Sequence, residues 1–218
     1  MSGTGRTASP VPSAPLLLRL AAFAFSAGIL IAGVYLLTAA RIADQQLATQ
    51  RAALAEVLPT NLHDNDLLSA RFELDPAGSD YQQLSLLGLH EPRAAYLAMK
   101  DGTAVGVILP LETEQGYGGP IVLLIGITAE GELTGVRTVQ HNETVGLGDK
   151  IDLAISSWMH SFDNRSLANT PDVLWYVKKD GGDFDQFVGA TITPRAVVAA
   201  VHNALLFFDA NRERLLPP

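Results

Sequence analysis

Between Arg19 and Arg41 the chain runs for 21 residues, 20–40, without a charged side chain. At about 1.5 Å per residue, a helix of that length crosses a hydrocarbon core of roughly 30 Å. The apolar region of a cleaved leader is shorter, and no clear Ala-x-Ala site follows directly. The run therefore reads as a retained transmembrane helix over residues 15–41. Residues 1–14, rich in Ser, Pro, Gly and Thr, read as a disordered tail. Beyond the span, Leu47, Leu54, Val57 and Leu58 keep a helical pattern that Pro59 ends, giving a stalk helix over 42–59. Ala24, Gly28 and Ala32 form a small stripe at four-residue spacing, which reads as incidental in a segment where small residues are frequent.

Charge divides the chain unevenly. Residues 1–43 hold three arginines and no acid, a net +3, whereas the whole chain is −8, so residues 44–218 carry −11. A domain that acidic argues against nucleic acid or an anionic membrane surface as partner. There is no cysteine. This excludes thiolate metal sites, cysteine-ligated iron–sulfur clusters and Cys-x-x-Cys-His haem attachment, so any redox chemistry belongs to an organic cofactor or to a partner.

In the remaining 60–218 domain, residues 94–99 and 104–109 read as strands around an Asp101-Gly102 turn, and 121–128 and 133–139 repeat the pattern around Glu130-Gly131. Residues 151–161 read as a helix with Ile151, Leu153, Ile155 and Trp158 apolar; residues 174–177 read as a short strand. A final helix is expected over 194–211, with Val197, Val198, Val201, Leu205 and Phe208 at helical spacing. Residues 60–92 show no clear period. Hairpin-connected strands with helices in separate blocks indicate α+β.

One junction carries chemistry. Gly189-Ala190-Thr191-Ile192-Thr193-Pro194 leads into that final helix, with Thr193 as expected N-cap and Pro194 at the first helical position. A helix N-terminus offers unpaired N–H groups and the positive end of its dipole to a phosphate. Gly189 and Ala190 leave room for a bulky group to approach the Thr191 hydroxyl. The same residues also suit an ordinary tight turn into a capped helix. Thr144-Val145-Gly146-Leu147-Gly148 admits two readings as well, a plain glycine loop or backbone shaped around a flat ring. Asp180, before a glycine, reads as a turn residue, and Asp183 as a residue that can hold the same turn. His141 and Glu143 would share one face of a strand, but a pair is too few ligands for a metal. Tyr117, Trp158 and Trp175 suit either ring stacking or core. No Walker loop, Gly-x-Ser-x-Gly elbow or dinucleotide fingerprint is present.

The wording of the long segment is more specific than its physics. Val177-Lys178-Lys179-Asp180-Gly181-Gly182-Asp183-Phe184-Asp185-Gln186-Phe187, followed by Gly189-Ala190-Thr191-Ile192-Thr193-Pro194-Arg195, closely resembles the RnfG subunit of the Rnf (Rsx) electron transport complex. Gly116-Tyr117-Gly118-Gly119-Pro120-Ile121 and His141-Asn142-Glu143-Thr144-Val145-Gly146-Leu147-Gly148 resemble that family's glycine turn and glycine loop, in the same order.

The resemblance implies a single-pass inner-membrane protein with a cytoplasmic N-terminus and a periplasmic FMN-binding domain. It implies FMN held covalently by a phosphoester to Thr191, installed by a flavin transferase. Gly189, Ala190, Thr193, Asp183, Thr144, Gly146, Leu147 and Gly148 are implied to surround it. The implied role is electron carrier in an ion-translocating NADH/ferredoxin oxidoreductase, beside its other subunits. Two positions depart from the family pattern: Val188 stands where Ser or Thr is usual, and Val145 where proline is usual. On those two alone rests an alternative, a flavin-free assembly or sensory subunit.

Overall fold

The structure, a computed structural model, describes residues 14–78 and 81–217. The tail expected over 1–14 lies outside the described residues except for Ala14, which opens helix α1 (Ala14–Val57). The span and stalk are thus one uninterrupted helix of 44 residues. Among the described residues it is the one helix long and apolar enough to cross a membrane, over Leu18–Ala39. Its apolar side chains are exposed around the helix, including Phe23, Phe25, Ile29, Leu30, Ile31 and Leu37. A helix apolar on all sides suits a lipid environment. It ends at Val57 because a residue preceding proline is pushed out of the helical region, and Pro59 follows Leu58.

The chain divides into two units, residues 1–49 and 50–218. The second is built on a five-stranded antiparallel meander, β1 (Arg71–Leu74), β2 (Arg93–Lys100), β3 (Thr103–Thr113), β4 (Ile121–Thr128) and β5 (Leu133–Gln140), in sequential order. The β2–β3 turn falls at Asp101-Gly102, both with positive φ, as a two-residue hairpin demands. β1 lies in the stretch that shows no clear period. It is an edge strand of four residues with only Leu74 buried.

Both faces of the sheet are covered, which is why β3 and β4 read as nearly continuous apolar runs. On one face Val107, Leu109, Leu111, Leu123, Ile125 and Ile127 join Val197, Val201, Leu205 and Phe208 of helix α2 (Ile192–Leu215) in the main core. On the other, Ala98 and Ile108 pack with Leu54, Val57, Leu58 and Leu67. The end of α1 comes close because Gly126 has no side chain: a Cβ there would lie 2.5 Å from the Val57 carbonyl oxygen. That carbonyl, left without an intrahelical partner at the helix end, accepts the Thr134 hydroxyl at 2.6 Å. Arg137 of β5 pairs with Glu56 beside it.

Two local expectations are corrected. Residues 151–161 do not form one helix but short 3-10 turns, Asp149–Ile151 and Ser157–Phe162. The Asp152 carboxylate takes the Ala154 N–H and the Ser156 hydroxyl takes the Trp158 N–H, and such local bonds compete with an α-helix. Residues 174–177 are not a strand: Leu174 closes a 3-10 turn, and Val177 makes only an isolated bridge to Phe184. There the chain folds on itself, with Lys178 N–H to Phe184 O at 2.7 Å and Phe184 N–H to Tyr176 O at 3.2 Å.

Candidate functional site

A cavity of about 300 Å³ opens where three connections meet. The β3–β4 loop contributes Tyr117; the segment after β5 contributes Glu143, Thr144, Leu147 and Gly148; the entry to α2 contributes Gly189, Ala190, Thr191 and Ile192. Six expected site residues, Thr144, Leu147, Gly148, Gly189, Ala190 and Thr191, therefore lie on one wall or another of a single pocket.

Helix α2 starts two residues earlier than expected, at Ile192, so Thr191 occupies the flanking position. Its side chain makes no capping bond to the helix backbone. Thr193, expected as N-cap, is instead fully buried in the first turn, where its hydroxyl donates to Glu143 Oε2 at 2.5 Å. Pro194 then falls where its missing N–H is one of the unpaired donors of a helix start in any case. The consequence is chemical: the capping role does not consume the Thr191 hydroxyl, which stays half-exposed at the pocket wall.

Glu143 holds the pocket together. It is buried, and its other oxygen accepts the Gly118 N–H at 3.0 Å, so one carboxylate joins the β3–β4 loop, its own segment and α2. Buried charge needs such donors. It sits beyond the end of β5 rather than on a strand face with His141, whose Nδ1 accepts the Glu143 N–H at 3.1 Å. No cluster of three metal-ligating side chains occurs among the described residues. Gly148 is packed so tightly against this pair that a Cβ would stand 2.9 Å from Thr193 Oγ1. Gly189 takes φ of +83°, a region that favours glycine, with Leu147 close by at 3.3 Å from where a Cβ would be.

The remaining expected residues lie off the pocket wall. Gly146 donates its N–H to Asp149 Oδ2 at 2.9 Å. Asp183 pairs with Arg165 at 2.6 Å. Of the aromatic candidates only Tyr117 lines the cavity; Trp175 is buried beside Phe184, and Trp158 meets Phe162 and Phe187 edge-on. Val188 and Val145, the two departures, are 88% and 86% exposed.

Two contributors were not singled out from the sequence. Ile192 adds apolar surface to the wall. Arg195, four residues after Thr191 and so on the same helix face, lies with Nη1 3.4 Å from Thr191 Oγ1. Its Nε and Nη2 donate to the two oxygens of Asp180 at 2.5 and 2.7 Å. These hydrogen bonds hold the Asp180 carboxyl below its usual range and raise Arg195 above its own. The four-residue spacing of Thr191 and Arg195 is the one sequence signal that could have found this contact.

These residues fit FMN. A phosphate is served by a helix N-terminus with no acid in its first turn, a hydroxyl and a guanidinium. A flat ring is served by Tyr117, Leu147 and Ile192, and the volume is at the lower end of ligand pockets, which run from about 300 Å³ upward.

The FMN-binding domain family matches residues 116–206, which hold all three pocket segments, and the RnfG N-terminal region matches residues 18–57. NqrC of Shewanella oneidensis, a solved structure, is similar with a TM-score of 0.48 at 20% identity, covering 70% of this chain and 74% of that one. The G subunit of the ion-translocating oxidoreductase complex of Shewanella loihica is 44% identical over 90% of this chain and 90% of its own length. The corresponding protein of Pseudomonas aeruginosa is 52% identical over 201 residues, 92% of this chain and 91% of its own. With likeness that high along nearly the whole length, the chain belongs to the RnfG family of ion-translocating oxidoreductase subunits.

Proposed function

We propose that this protein is the FMN-bearing electron carrier of an Rnf-type ion-translocating oxidoreductase, with the flavin joined through its phosphate to Thr191. The observation that carries the reading is the Thr191 hydroxyl: it stands on a pocket wall at a helix N-terminus, yet it caps nothing. FMN supplies one- and two-electron transfer, and the protein supplies attachment, position and electrostatics. Attachment is a phosphoryl transfer without redox change. The Thr191 oxygen bonds to phosphorus, a P–O–P bond of a flavin diphosphate donor breaks, the nucleotide portion departs with its own phosphate, and the hydroxyl proton passes to the transferase or solvent. Gly189 and Ala190 keep the hydroxyl approachable, and Tyr117, Leu147 and Ile192 offer the ring an apolar wall.

In the same reading residues 15–41 cross the inner membrane in lipid, 42–59 lead out of it, and 60–218 form the FMN-binding domain in the periplasm. There a covalent tether prevents loss of the cofactor. Electrons enter and leave through neighbouring subunits, and the chain alone does not turn over NADH.

The test is the intact mass of the full-length protein co-expressed with its flavin transferase. One FMN on wild type and on Thr193→Ala, with none on Thr191→Ala, is the expected pattern. An unmodified wild type beside a modified family member overturns covalent attachment. Electron flow that persists in a flavin-free Thr191→Ala complex overturns the carrier role.

A further inference from the structure

We propose that Arg195, held in place by Asp180, is the anion-binding residue for the phosphate esterified at Thr191. The inference rests on the covalent-FMN reading above.

Three observations carry it. First, Nε and Nη2 of Arg195 are committed to the Asp180 carboxylate in a two-pronged pair, which fixes the plane of the guanidinium. Nη1 is the part left over, and it points at Thr191 Oγ1. Second, the placement runs against helix electrostatics: a cation in the first turn faces the positive end of the dipole, and this turn contains no acid. Asp180 offsets the charge of Arg195 but not the unpaired N–H groups at the helix start, so the locality still favours an anion. Third, Glu143, the carboxylate that lines the cavity, is engaged by the Gly118 N–H and the Thr193 hydroxyl, while the bonds of Arg195 go to Asp180 and Thr191.

A phosphodiester on Thr191 carries one negative charge next to the ester oxygen, within reach of the free Nη1 donors. The Thr191–Arg195 contact at 3.4 Å is long for a hydrogen bond to a hydroxyl. A weak contact of this kind leaves the Nη1 donors available to a phosphate oxygen, which in the ester lies two bonds from Oγ1, beyond phosphorus. Asp180 acts through Arg195 and is a positioning residue. Its place at the end of the 3-10 turn Lys178–Asp180, before Gly181, gives Asp180 a task besides turning the chain.

The test uses the full-length protein in a phosphorus-free detergent with its transferase. It compares wild type, Arg195→Gln, Arg195→Lys and Asp180→Asn. Two readouts are taken: the rate of FMN attachment by intact mass, and the phosphorus NMR shift of the fully loaded proteins. Arg195→Gln is expected to slow attachment about ten- to a hundredfold, the range set by losing one charge-assisted hydrogen bond. It is also expected to shift the phosphorus resonance of the product. Arg195→Lys restores part of both, and Asp180→Asn gives a smaller change of the same sign. Slowed attachment with an unmoved phosphorus resonance overturns the proposal, because the transferase and not the phosphate then reads Arg195. Unchanged rate and resonance overturn it as well, leaving a surface ion pair. A wild type that never acquires FMN while a family member does removes the parent reading and this one with it, and is told apart by the wild-type mass alone.

Discussion

The Thr193 hydroxyl donates to the buried Glu143 carboxylate at 2.5 Å, tying the first turn of α2 to the segment that follows β5. Removing the hydroxyl leaves a buried carboxylate oxygen without its donor, at a cost of about 1–3 kcal/mol. Thr193→Val is therefore expected to lower the melting temperature by roughly 2–10 °C for a domain of this size. The Thr191 hydroxyl is untouched, so FMN attachment persists. Thermal unfolding and intact mass on one sample check both halves; loss of the flavin with an unchanged melting temperature contradicts them.

Gly126 makes a separate prediction about the end of α1. In Gly126→Ala the new methyl meets the Val57 carbonyl and the Thr134 hydroxyl, displacing the bond between them. Overpacking of this kind costs about 1–3 kcal/mol. Hydrogen exchange is expected to rise in residues 54–58, while the Gly-Ala-Thr turn, on a different part of the domain, keeps wild-type exchange. Unchanged exchange in residues 54–58 contradicts the close approach.

The Asp180–Arg195 pair gives a pH dependence of known sign. Arg195 lowers the Asp180 carboxyl below its ordinary value, so the pair is fully formed above the ordinary aspartate range. Its contribution is lost as pH falls through the lowered value. Carbon NMR of the Asp180 carboxyl is expected to titrate below a solvated aspartate, and Arg195→Gln returns it toward the usual midpoint. A wild-type midpoint at the ordinary value removes the basis for this prediction. The pair is solvent-facing, so the effect belongs to the local titration and not to global unfolding.

Much of this arrangement is legible in the chain itself. Asp101-Gly102 and Glu130-Gly131 mark the β2–β3 and β4–β5 hairpins, because few residues accept the backbone those turns require. The 20–40 run stands out because nothing in it needs water. β1 escapes because a four-residue edge strand with one buried side chain has no period to read. The expected helix over 151–161 fails for a local reason: Asp152 and Ser156 side chains bind backbone N–H groups that periodicity ignores. At the site, the Gly-Ala-Thr turn and the glycine loop are visible as small residues where backbone must approach closely. Arg195 is visible only as a letter four places after Thr191, since its meaning comes from Asp180, fifteen residues earlier in the chain and adjacent only once folded. Thr193 is misread as the cap because an N-cap preference says nothing of a buried carboxylate waiting on the other side.

Val188 precedes Gly189 directly, where the family usually carries a hydroxyl residue, and its side chain is 88% exposed. An exposed residue that packs against nothing contributes little to stability, so Val188→Thr is expected to change it by less than about 0.5 kcal/mol. Nor does residue 188 hold the acceptor in place. The Thr191 hydroxyl is set by the start of α2 and by Arg195, and the left-handed Gly189 separates it from position 188. Wild type and Val188→Thr are therefore expected to reach the same final FMN occupancy by intact mass, with any difference confined to the rate at which the transferase works. A wild type that stalls at partial occupancy, completed only in Val188→Thr, reverses this and makes the residue before the turn part of what positions the hydroxyl.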